Sequence, residues 1–193
     1  MDTPQTPPPP GRRLCILGTS GSGKSYVAIE AARRLGLRYI SNDALIWGAD
    51  WTPTPRAARP ALFETATRDD DGRGWTFDGN VTGADPEDAC VLDRCDTLVW
   101  LDLPRRQVWP QVLWRTLRRV VTREALWHGN VETWRMALGR DSIVLWSLRT
   151  FARRRRQFRA MFADPCYADR VRIRLTSRCA VNAWLASLGE PRG

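Results

Sequence analysis

Gly18-Thr19-Ser20-Gly21-Ser22-Gly23-Lys24-Ser25 is the stretch from which the fold of this chain is read. It fits G-x-x-x-x-G-K-[ST], the pattern of a loop that wraps a phosphate chain. Lys24 is the only lysine among 30 basic residues in 193; the others are arginine. One compact ammonium is therefore kept at the position where such a loop requires it. Upstream, Leu14-Cys15-Ile16-Leu17 is an apolar run suited to a buried strand. Downstream, Val27, Ala28, Ala31, Ala32 and Leu35 recur at helical spacing, and Gly36 is a natural stop. Strand, glycine loop and helix together are the context in which the motif carries weight.

The chemistry follows from that geometry. Glycine at 18, 21 and 23 lets the backbone close on an anion, in conformations that a side chain would block. With Thr19, Ser20 and Ser22 completing the cradle, the loop N–H groups and the helix N-terminus point at a β-phosphate. Lys24 is placed to bridge β- and γ-phosphates, and the Ser25 hydroxyl is the expected magnesium ligand. The expected cofactors are ATP and Mg2+.

Composition sets the bounds. At 193 residues with 43% hydrophobic side chains the chain makes one domain with a real core. It has no apolar run of about 18 residues, the length that spans a membrane. Residues 1–11 read as a disordered, proline-rich tail without the features of a signal peptide, which points to the cytoplasm. Five cysteines form no C-x-x-C pair and read as thiols in a reducing compartment. His128 is the only histidine, which speaks against zinc chemistry. The net charge of +9 invites a nucleic-acid partner. Arginine gathered around a phosphate site, on top of compositional bias, explains it as well, and is the reading we favour.

Beyond the first helix, strand patterns alternate with helix patterns. Strands are expected over 37–40, 75–79, 97–103 and 171–175, with the third as the buried central one. Helices are expected over 61–68, 86–94, from Pro104 to about Thr122, from Asp141 as N-cap, and over 180–188. Pro110 lies inside the helix from Pro104, so that helix is expected to kink or begin late. Residues 123–140 have weak periodicity. Such alternation implies a parallel sheet covered on both faces.

Three carboxylates stand at expected strand ends. Asp78 is placed to hold magnesium through water, or else closes a turn. Asp102 is its rival, or else caps the following helix. Asp43 could orient or deprotonate an acceptor hydroxyl, or cap a turn. Trp47 and Trp51 line an acceptor pocket or belong to the core. Arg115, Arg119 and Arg123 recur every four residues, with Arg118 alongside, and Arg149, Arg153 and Arg156 form a second row. Like charges at that spacing repel, and phosphate oxygens would offset them. We take Lys24, Asp43, Arg119, Arg123 and Arg153 as the catalytic set, with Arg115 on the nucleotide. Arg153 to Arg156 point around the helix and make no flat basic stripe.

Further marks are Asn42-Asp43-x-x-x-Trp47, Trp51 with Pro53 and Pro55, Trp75-x-x-Asp78-Gly79-Asn80, Cys95-Asp96 followed by Leu101-Asp102-x-Pro104-Arg105, and Thr176-Ser177-Arg178. Across residues 12–188 the chain resembles the adenylate-kinase-like P-loop small-molecule kinases, and among them the bacterial proteins labelled topology modulation protein. The resemblance implies a three-layer α/β/α fold with a five-stranded parallel sheet of order 2-3-1-4-5. It also implies one kinase-like domain over residues 12–190 with a lid over roughly 115–150, and an ATP base near Arg178. Asp78-Gly79-Asn80-Val81-Thr82 stands where adenylate kinases carry Asp-Gly-Phe-Pro-Arg, so the arginine for the AMP phosphate is missing and AMP as acceptor is in doubt. Asp43 falls where shikimate-kinase-like enzymes set a carboxylate against the acceptor hydroxyl. The leading expectation is transfer of the ATP γ-phosphate to a small acceptor. A nucleic-acid-associated ATPase and a non-catalytic nucleotide-binding protein are the alternatives.

Overall fold

The computed structural model describes residues 7–83, 85–139 and 142–190. Among them, strands β1 (Arg13–Gly18), β2 (Arg38–Ser41), β3 (Trp75–Asp78), β4 (Thr97–Leu101) and β5 (Val171–Leu175) form one sheet. Its order is β2-β3-β1-β4-β5 and every pairing is parallel. Helices α1 (Lys24–Leu35), α2 (Asn42–Ile46), α3 (Arg59–Thr67), α4 (Pro86–Leu92), α5 (Arg105–Thr122), α6 (Trp134–Leu138), α7 (Ile143–Ala163) and α8 (Arg178–Ser187) surround it.

The two faces of the sheet are filled by alternate residues of the same strands. Leu14 and Ile16 point to one face with Val99, Leu101, Ile173 and Leu175, under Val27 and Ala31 of α1 and Trp184 of α8. Cys15 and Leu17 point to the other with Phe77, Leu98 and Trp100, under Phe63 of α3, Val91 of α4 and Phe158 of α7. Period-two side chains on strands buried from both sides give this three-layer α/β/α P-loop fold. The β1–β3 and β1–β4 neighbours bring Gly18, Asp78 and Leu101 to the same sheet edge, where ligands bind in open α/β sheets.

Some elements differ from expectation. Helix α5 starts at Arg105 and runs through Pro110 to Thr122 without a late start. The proline forfeits one exposed hydrogen bond, while Val108, Val112, Thr116 and Val120 bury a continuous face that holds the helix. Helix α2 follows β2 directly, capped by the Ser41 hydroxyl accepting from the Ala44 amide at 3.3 Å. The N-cap of α7 is Ser142, and Asp141 lies outside the described residues. Of the expected N-terminal tail, residues 1–6 lie outside the described residues. Residues 7–10 have no regular structure, and the Gly11 amide donates to Thr97 Oγ1 at 2.9 Å. Among the described residues no helix is long and apolar enough to cross a membrane.

Candidate active site

The loop from Gly18 to Ser25 joins β1 to α1. Gly21 has φ 80°, and a Cβ there would lie 2.1 Å from Val112 Cγ2. Its missing side chain lets α5 press against the loop. That contact brings Arg115, one turn beyond Val112, over the loop, where its Nη2 donates to Ser20 Oγ at 3.4 Å. Helix α7 closes from another side, with Ser147 Oγ donating to the Ser20 carbonyl at 3.3 Å. The Lys24 ammonium donates to the Thr19 carbonyl at 3.2 Å.

Lys24, Ser25 and Ser20 open into a cavity of about 560 Å³. Asp43 from α2 and Asp78 from the end of β3 share it with Arg115 and Arg119 of α5 and Arg154 of α7. Burial pulls the Lys24 ammonium below the ordinary lysine value, while the Asp78 and Asp43 carboxylates act to hold its proton. Burial lifts the Asp43 carboxyl above its ordinary value, and nearby Lys24 opposes that rise. Asp78 accepts from the Tyr39 hydroxyl at 3.2 Å, and burial together with that carboxylate pushes the phenol up to about 12. Burial also lowers the Arg115 and Arg154 guanidinium groups from their usual range.

Several polar atoms around this cavity lack partners. The Nε atoms of Arg115, Arg119 and Arg154 and the hydroxyls of Thr116 and Ser22 are buried without a hydrogen bond. Most are donors, and unpartnered buried donors suit an anion with many acceptor oxygens. The oxygen donors Ser25 and Asp78 are of the type magnesium takes, and they leave most of its octahedron to phosphate oxygens and water. The residues present therefore fit a magnesium nucleotide.

No family model matches this chain, and no curated protein sequence matches it. Among solved structures, the chain is similar to the unliganded crystal structure of a sugar kinase from Janibacter sp.. The two share 17% identity over 93% of each chain, with a TM-score of 0.50. That likeness is one of fold.

Not every expected site residue reaches the cavity. Arg123 is the C-cap of α5, exposed at φ 48°, because the helix ends one turn after Arg119. Arg153 is exposed on α7, one position away from the inward-facing Arg154. Arg156 lines a separate groove. Arg178 opens α8 on the exposed surface and does not line the cavity. Arg118 pairs with Glu124 at 2.7 Å on the outside of α5. Asp102, the alternative magnesium ligand, is 3% exposed and held by Arg155 at 2.5 Å and by Arg174, away from the cavity.

Other residues complete the site without a motif to announce them. Trp47 and Trp51 stand edge to face at 5.9 Å and line the cavity with Phe63, Trp127 and Trp146. Arg59 is occupied, donating to the Thr54 carbonyl at 3.1 Å and to Glu87 at 3.3 Å. Asp88 accepts from the Thr82 and Gly83 amides at 2.7 and 2.9 Å, which pins the segment after β3. Asn130, in the segment between α5 and α7, accepts from the Trp51 amide and donates to the Gly48 carbonyl. Arg154 and Arg155 both lie on the helical phase between the buried Phe151 and Phe158, so the sequence marks the pair and not which of them enters the cavity.

Proposed function

We propose that the protein is an ATP-dependent phosphotransferase that moves the γ-phosphate of Mg-ATP to a hydroxyl of a small acceptor. The observation that carries this reading is the convergence of Lys24 and Ser25 of the loop with Asp43 and Asp78 on one cavity, beneath Arg115, Arg119 and Arg154. In this reading the loop amides and Lys24 hold the β- and γ-phosphates. Arg115 and Arg154 draw charge from the transferring group. Asp43 orients the acceptor hydroxyl and takes its proton. Ser25 and Asp78 are the residues that would hold magnesium, which would supply charge neutralisation for the phosphates.

The acceptor we infer is a hydroxyl compound without a phosphate of its own. Thr82 occupies the place where an arginine would grip a nucleoside monophosphate. The guanidinium on the acceptor side, Arg59, is already committed to Glu87 and Thr54. Aromatic rings line the remaining wall with the amides of Asn42 and Asn80 and the carboxylates of Asp85, Glu87 and Glu132, a surface suited to the C–H faces and hydroxyls of a polyol or sugar. The fold likeness to a sugar kinase accords with this class. The motif resemblance to the bacterial topology modulation proteins adds the loop and strand-end pattern, and leaves the acceptor open.

The test is ADP release with Mg-ATP across a panel of sugars, polyols and nucleoside monophosphates. Release above background hydrolysis with a hydroxyl acceptor, lost in Lys24→Ala, is the expected result. Turnover restricted to nucleoside monophosphates would overturn the acceptor class. Turnover retained in Lys24→Ala would overturn the site.

A further inference from the structure

A second groove of about 510 Å³ runs between the start of α5 and the outer side of α7. It shares no lining residue with the cavity. Five of its eight lining residues are arginine, namely Arg105, Arg106, Arg155, Arg156 and Arg159, and none is acidic. Arg155 is bound to Asp102. Arg106, Arg156 and Arg159 are exposed, and no acidic side chain among the described residues pairs with them. On α7 the pairs 155/159 and 156/159 lie at i,i+4 and i,i+3, where like charges repel. Asp102 offsets the first pair, but among the described residues no carboxylate offsets Arg156 and Arg159, which leaves that pair open to an anion.

The aromatic neighbours narrow the class. The Arg105 guanidinium lies between two rings, 5.6 Å from Trp109 and 5.1 Å from Phe151. Trp109, packed against Arg105, is 36% exposed, which sets a partly open ring next to the guanidinium row. A positively charged channel with an adjacent ring is what a single strand uses, phosphates on the cations and a base on the ring. A duplex keeps its bases stacked on one another and gains nothing from Trp109. An anionic bilayer needs no channel.

We propose that this groove binds single-stranded nucleic acid independently of the cavity, with Arg105, Arg106, Arg156 and Arg159 on the phosphates and Trp109 against a base. Guanidinium forks match phosphate oxygens in pairs, which an ammonium does not.

Fluorescence anisotropy on the full chain tests this with labelled oligothymidine and oligouridine, titrated at several salt concentrations. Four neutralised phosphates predict a log–log salt slope of about −3 for a single strand. The variant Arg106→Ala/Arg156→Ala/Arg159→Ala should weaken binding at least tenfold and bring the slope to about −1, with its melting temperature unchanged because all three side chains are exposed. Trp109→Ala should weaken binding about tenfold and leave the slope as it was. Lys24→Ala should bind the strand like the parent. A preference for either oligonucleotide over duplex would support the assignment. Parent-like binding by the triple arginine variant would overturn it. So would equal affinity for a duplex with no effect of Trp109→Ala, or binding to phosphatidylglycerol vesicles without binding to either oligonucleotide.

Discussion

The Asn130 side chain accepts a hydrogen bond from the backbone amide of Trp51 at 2.9 Å, which ties the segment over the cavity to the wall beneath it. Its amide nitrogen donates to the Gly48 carbonyl at 2.8 Å, and the residue is 4% exposed. Around this amide two loops face each other, each closed by an isolated antiparallel bridge, Trp47 to Pro53 and Ala125 to Val131. The first loop carries two non-glycine residues at positive φ, Asp50 at 53° and Trp51 at 56°, and the second carries His128 at 57°. Backbone in that region is strained and persists only where its surroundings hold it.

Asn130→Ala removes both bonds and leaves the Trp51 amide and the Gly48 carbonyl without them. A loss of about 1–3 kcal/mol in unfolding free energy is expected. The apparent KM for the acceptor should rise while Mg-ATP affinity stays near the parent's, because the nucleotide loop lies outside the clasp. Steady-state kinetics with calorimetric Mg-ATP titration separates these effects.

Tyr39→Phe tests the phenol that donates to Asp78. Partners behind a metal-binding carboxylate change metal affinity by about 10–100-fold when removed. The magnesium concentration for half-maximal rate should therefore rise by about tenfold, with the thermal midpoint little changed. An unchanged magnesium requirement would take Asp78 out of the metal site.

Asp78→Asn and Asp102→Asn should behave in opposite ways. The first should remove turnover and leave the fold intact. The second should keep the parent's magnesium dependence and lose about 1–3 kcal/mol of stability, since it breaks the contacts with Arg155 and Arg174. Both arginines are partly exposed and can rehydrate, which keeps the loss within that range. Thermal melts and magnesium titrations of the two variants decide between the carboxylates.

Asp43 links activity to pH. Burial raises its carboxyl in the folded chain, so the acid limb of kcat/KM should lie above the ordinary aspartate value of about 3.9. The sign for stability follows from proton binding. Between the unfolded and the raised folded value the native state holds more protons, so this group's contribution falls as pH rises through that window. Asp43→Asn should therefore melt higher than the parent at neutral pH, match it below the unfolded value, and lose about 100-fold in kcat. A variant that melts lower at neutral pH would contradict the burial of this carboxylate.

Where one local rule governs a segment, the sequence is explicit. The apolar run Leu14–Leu17 lies within β1, and the strand over 171–175 matches β5 in full. Gly21 and Gly23 of the loop sit at positive φ, and Gly21 leaves room for Val112 of α5. Competing rules are harder to read. Pro110 argues for a break, and four buried residues on one face outweigh it. Arg153 to Arg156 are four equal letters, and only the rotation of α7, fixed by Phe151 and Phe158, sends Arg154 inward and Arg156 into the groove. Asn130 gives no local sign at all, because its partners are about 80 residues away in sequence.

Calorimetric titration of Mg-ATP into the folded chain and into Lys24→Ala tests the central claim most directly. The parent should bind one equivalent, and the variant, with the same melting curve, should show binding weakened by at least about 100-fold. Equal binding by both proteins, or no heat from the parent, would contradict the assignment of this loop as the nucleotide site.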